Sequence, residues 1–102
     1  MGLDNDKSAA MRAAFQADLA RRLSEIEAVI DQLQTGRASF EEASAAFSAQ
    51  LHDIKGTGRP FGVPQATDLA ADFERTIKTE TWREENAPGL VRQLVSRLRA
   101  LC

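Results

Sequence analysis

A chain of 102 residues, 43% of them apolar, is long enough for one domain with a modest single core and too short for two. A net charge of −2 and a pI near 5.4, without a basic stripe interleaved with aromatics, exclude a general nucleic-acid binder. The one cysteine, Cys102, excludes an intrachain disulfide and suits a reducing compartment, and no apolar run is long enough for a signal region or a membrane span. A cytoplasmic setting without membrane attachment is therefore expected. Gly2 follows Met1, but Asp6 stands where a myristoylation motif has Ser or Thr.

The first predicted helix covers residues 8–34, behind a tail at 1–7 expected to be flexible. Met11, Phe15, Leu19, Leu23, Ile26, Ile30 and Leu33 recur at steps of three or four and draw one apolar stripe. Gly36 supplies the stop. Ser39 and Glu42 form an S-x-x-E capping box, so a second helix starts near Phe40. Its inner face is Phe47, Leu51, Ile54 and Phe61, with small Ala43 and Gly58 on the same side. A break falls at Gly62-Val63-Pro64, and Pro64 suits the first turn of a third helix. Ala66, Leu69, Ala70, Phe73 and Ile77 carry that helix's stripe. Residues 79–88, TETWREENAP, read as polar and turn-like. Asn86 is the expected N-cap of a fourth helix, with Pro88 in its first turn. Leu90, Leu94, Leu98 and Leu101 line that helix, with Val91 and Val95 beside them. No segment alternates with period two. Short connections between single-striped helices imply an all-α, antiparallel up-down four-helix bundle over residues 8–102, expected to be monomeric, in which packing rather than propensity supplies the stability.

The chemistry-bearing stretch is LHDIKGTGRPFG, residues 51–62, which holds the chain's only histidine. At about 100° per residue, His52 lies roughly 140° from the core centre of the second helix and faces water. Lys55 and Arg59 fall on the same outer flank, at roughly 80° and 120°. Ser48 lies one turn before the histidine, and Ala45 and Gly56 are outward on either side of it. An exposed imidazole among small residues, with cations nearby, suits a phosphoryl group: the ring nitrogen is nucleophilic near neutral pH, and Lys55 can set an ammonium beside it. A glycine inside a helix costs about 0.5–1 kcal/mol relative to alanine, which points to close approach of a partner at Gly56. The plainer readings are a solvated surface histidine and ordinary helix decoration. A metal site lacks a second histidine, with Cys102 remote in sequence. A hydrolase site lacks a nucleophile elbow or oxyanion hole around Ser48.

These residues resemble the histidine-containing phosphotransfer (HPt) domain of bacterial two-component phosphorelays. The matching motif is H-x-x-K-G-x-x-x-x-x-G, filled by His52, Lys55, Gly56 and Gly62, with Ile54 at the apolar position between histidine and lysine. The following run at 66–74, ATDLAADFE, is similar to the small-and-apolar helix that comes next in that family, and the pattern extends over residues 8–102.

The resemblance implies that His52 accepts the phosphoryl group, that Lys55 offsets its charge, that Gly56 leaves room for the partner and that Gly62 forms the turn into the third helix. Ser48, Ala45 and Arg59 would border the docking surface. The implied partners are receiver domains of response regulators or hybrid histidine kinases. No cofactor is expected on this chain, Mg²⁺ belonging to the receiver, and no ATP-dependent kinase activity. Arg59 is larger than the family pattern has there, and Pro60 departs from it, placing a kink or helix end near Arg59. One alternative is a helical adaptor that binds receivers or kinases without chemistry. Another is the dimerising hairpin of a sensor kinase, suggested by His52-Asp53, although Lys-Gly stands where that family has Arg-x-Pro. The Met-Gly start reads as a free-standing protein rather than a piece of a kinase.

Overall fold

The computed structural model describes residues 2–102, with side chains from residue 7 onward. Four helices follow in order: α1 (Gly2–Gln34), α2 (Phe40–Gly58), α3 (Pro64–Ile77) and α4 (Ala87–Arg99). There is no strand among the described residues. Each helix packs on the next and α4 closes against α1, with α2 and α3 the most extensive pair. Side-chain pairs fix the directions. Arg22 reaches Asp53 while Phe15 stacks on Phe61, so α2 runs back along α1. Arg59 meets Asp68 while Lys55 meets Glu74, so α3 reverses α2. Arg92 lies by Asp31 while Arg99 binds Glu27, so α4 is antiparallel to α1. This is the up-down bundle expected from the stripes.

The helix ends follow local chemistry. Gly36 takes a left-handed φ of 77°. Its N–H donates to Leu33 O at 3.3 Å and that of Arg37 to Gln32 O at 2.8 Å, the paired bonds of a Schellman stop. At the start of α2, Ser39 Oγ accepts from Glu42 N–H at 3.0 Å and Glu42 Oε1 accepts from Ser39 N–H at 3.1 Å. The backbone N–H of Ser39, and then its hydroxyl, hold the Glu42 carboxyl below its ordinary pKa.

The core is wholly apolar among the described residues and draws on all four helices, with Phe15, Leu19 and Ile26 from α1, Phe47 and Leu51 from α2, Ala70 and Phe73 from α3, and Val91 and Leu98 from α4. The stripes of α1, α2 and α3 face it, with Leu69 and Ile77 only partly covered. On α4 the buried line is Ala87, Val91, Leu94, Val95 and Leu98, while Leu90 is partly buried and Leu101 lies past the helix end.

Four expectations are corrected. α1 begins at Gly2 rather than Ser8, so residues 2–7 belong to the helix; Met1 lies outside the described residues. With no breaker in that stretch, helix extends readily from an existing nucleus. Met11 is 41% exposed instead of buried. It sits a turn before Phe15, whose partner Phe61 is already at the end of α2, so little remains for Met11 to pack on. Asn86 stands at the N-cap position without a side-chain cap bond, because it is itself in the right-handed helical region; its amide donates to Thr81 O at 3.1 Å instead. Trp82, in the stretch expected to be polar turn, is a core residue at 8% exposure. Its ring lies 5.6 Å from Phe40, 6.0 Å from Phe47 and 5.6 Å from Phe73, and its indole N–H donates to Ser44 Oγ at 3.0 Å. An aromatic cluster of this kind closes one end of the bundle and satisfies the polar edge of the indole.

Candidate functional site

The outward side of α2 is built by the same register that buries its inward side. Ala43, Phe47, Leu51, Ile54 and Gly58 are buried. Ala45, Ser48, Ala49, His52 and Gly56 are all exposed. His52 therefore stands on a ridge of small side chains, with nothing of its own helix overhanging the ring.

Beside that ridge runs an open groove of about 480 Å³ between α2 and α3. Ser48, Ala49, His52 and Asp53 line it from α2, and Glu74, Ile77 and Lys78 from α3. Asp53 is held from the other direction, its Oδ2 3.1 Å from Arg22 Nη1 of α1. Among the described residues no cluster of His, Cys, Asp and Glu is arranged to hold a metal ion.

Lys55 is half-buried and turned toward α3, where Nζ donates to Glu74 Oε2 at 3.0 Å. It thus borders the groove through its partner, a position that α2 alone does not specify. Arg59 is elsewhere. It caps the C-terminal end of α2 and pairs with Asp68 Oδ1 at 3.1 Å, both side chains largely exposed. Of the residues expected from the sequence, Ser48 and His52 share the groove, and Lys55 joins them through Glu74. Ala45 and Gly56 lie along the same exposed ridge. Arg59 and Gly62 belong to the turn into α3.

The two glycines of α2 differ completely. A Cβ added at Gly56 would meet nothing within 4 Å. A Cβ at Gly58 would fall 2.7 Å from Thr67 Oγ1, 2.8 Å from Thr67 N and 2.9 Å from Val63 O. Gly58 is therefore required by the contact of α2 with α3, whereas no part of the described fold requires Gly56.

Pro60 finds its explanation in the same contact. Proline has no N–H, so the Gly56 carbonyl loses its usual helical donor, and the ring pushes that carbonyl aside. The neighbouring bond opens too: Arg59 N–H donates not to Lys55 O but to Thr67 Oγ1 at 2.8 Å. The Thr67 hydroxyl in turn donates to Lys55 O at 3.0 Å. One hydroxyl from α3 thus bridges the opened turn, and helical bonding resumes with Phe61 N–H to Thr57 O at 3.2 Å. Gly62, at φ 86°, ends the segment, its N–H bonding to Arg59 O and that of Val63 to Gly58 O. That is a second Schellman stop, and it aims the chain into Pro64 at the first turn of α3.

Sequence reasoning missed Ala49 and the α3 wall of the groove, Glu74, Ile77 and Lys78. Ala49 is one helical turn before Asp53 and was legible from the same wheel. The α3 residues were not, because their facing depends on how α3 is rotated against α2.

In comparison with known proteins, the model of the Hpt domain family matches residues 10–102. No curated protein and no solved structure matches the chain.

Proposed function

The chain belongs to the Hpt domain family, whose role is phosphotransfer in two-component signalling, and we propose that in this chain the phosphoryl group is carried on His52. The observation that carries this reading is the exposed His52 on its ridge of small residues, above an open groove and one turn from Lys55. Ala45, Ser48, Ala49 and Gly56 leave the imidazole accessible to a folded partner, and Gly56 has no packing role that would otherwise account for it.

The partner is a receiver domain of a response regulator or of a hybrid kinase, docked over this ridge. A ring nitrogen of neutral His52 attacks the phosphorus of the receiver's phospho-aspartate in line. The N–P bond forms as the acyl O–P bond breaks, and the aspartate carboxylate leaves with the bonding pair. The reverse attack returns the group, so the direction of flow follows the relative levels of the two phosphorylated species. This chain contributes position and charge: the ridge orients the ring, and Lys55 supplies a cation toward the phosphoryl oxygens. Divalent metal chemistry belongs to the receiver. Arg59, exposed at the C-cap of α2 beyond the ridge and paired with Asp68, adds a rim contact for the partner in this reading. The protein acts as a monomer in the cytoplasm. No helix among the described residues is long and apolar enough to cross a membrane.

The test is a phosphotransfer profile against the receivers of the source organism, with His52→Gln as control. The wild type exchanges label with one or a few receivers and the variant with none. Binding that persists while no receiver ever transfers label to the wild type would replace this reading with that of a non-catalytic adaptor.

A further inference from the structure

Glu74 is the one acid on the α3 wall of the His52 groove. Its side chain is only 23% exposed, and one carboxylate oxygen, Oε2, accepts from Lys55 at 3.0 Å. The other, Oε1, is fully covered and has no hydrogen-bond partner. A half-satisfied carboxylate is an unfavourable choice for a position that needs only an acceptor for Lys55. A neutral side chain of the same length would accept that bond without bringing a negative charge.

The charge matters because of what the groove receives. A phosphoryl group on His52 is an anion, and like charges at short range disfavour each other. Lys78 also lines the groove, but the cation one turn from His52 is Lys55, and it is shared: an ammonium held by Glu74 is not fully available to phosphoryl oxygens. From this geometry we propose, resting on His52 as the phosphoryl carrier, that Glu74 is a positioning residue that keeps phosphohistidine high in transfer potential. It does so by competing with the phosphoryl group for Lys55 and by repelling the phosphoryl oxygens. The consequence is a relay that passes its phosphoryl group on rather than storing it. When the group leaves, Lys55 returns to Glu74, and the empty site regains its ion pair.

The test needs no receiver. The whole chain is equilibrated with N-phosphoimidazole and imidazole, and the ratio of phosphohistidine to phosphoimidazole is read by ³¹P NMR. The step is balanced, since one N–P bond forms on His52 as another breaks on the small donor. Glu74→Gln raises the equilibrium ratio about tenfold. Glu74→Met, which removes the acceptor as well as the charge, raises it similarly; circular dichroism establishes that both variants are folded. In a Lys55→Met background the effect of Glu74→Gln shrinks to less than half on a logarithmic scale, because the competition for Lys55 is gone. A ratio within twofold of wild type in both folded Glu74 variants overturns the proposal, as does a Glu74→Gln effect undiminished without Lys55. Absence of phosphohistidine from the wild type and from both folded Glu74 variants refutes the underlying assignment of His52 instead, so the two failures are told apart.

Discussion

The two faces of α2 obey different constraints, and its two glycines show the difference within a single turn. Gly58 faces inward, where backbone atoms of Thr67 and Val63 leave no room for a side chain. Gly56 faces outward, where a side chain would meet only solvent. The inward residue is explained entirely by the packing of α2 on α3. The outward one is not explained by folding at all, and its helix-weakening cost remains. A residue that the fold does not need marks a surface shaped for something else.

Substitutions sharpen this contrast when taken from the largest effect to the smallest. Leu51→Ala, at 1% exposure next to His52, should destabilise by about 2–5 kcal/mol in urea unfolding, through the cavity it leaves. Gly58→Ala should cost about 1–3 kcal/mol, because the atoms its methyl would meet include backbone that cannot swing away. A Gly58→Ala variant as stable as wild type would mean that the close approach of α2 and α3 is wrongly described. Thr67→Val, which keeps the shape and removes the hydroxyl bridging Arg59 N and Lys55 O, should lower stability by about 1–2 kcal/mol. Its thermal midpoint should fall with no loss of helicity. Gly56→Ala belongs at the far end and has the opposite sign. It should be neutral or stabilising by up to about 1 kcal/mol, while a bulkier residue such as Trp at the same position blocks partner docking. Destabilisation by Gly56→Ala would erase the distinction between the two faces.

The same contrast governs what could be read before the fold was known. Periodicity identified four helices and nearly every core position, because each stripe repeats over several turns and errors at single residues average out. The capping box at Ser39 and Glu42, the stop at Gly36 and the turn at Gly62 were legible because their chemistry is local. Trp82 was not: it is a lone aromatic among charged neighbours, and its burial comes from Phe40, Phe47 and Phe73, which lie far from it along the chain. The kink at Pro60 was legible, but the way the fold accommodates it was not, for a related reason. The hydroxyl that accommodates the opened turn comes from Thr67, on the next helix. Of the candidate site, the α2 half followed from a helical wheel, including the exposure of His52. The α3 half required the rotation of one helix against another, and so the pairing of Lys55 with Glu74 was invisible.

The central claim is that His52 carries the phosphoryl group, and the chain offers a direct test because it contains only one histidine. The wild type and His52→Gln are exposed to a phosphorylated receiver that the profile identifies as a partner, and the label is examined by ³¹P NMR and by its stability to acid and base. The account predicts an acid-labile, base-stable phosphoramidate signal in the wild type and none in His52→Gln, with the two proteins equal in helicity. Label that persists in folded His52→Gln, or that maps to a hydroxyl or carboxyl side chain, would contradict it.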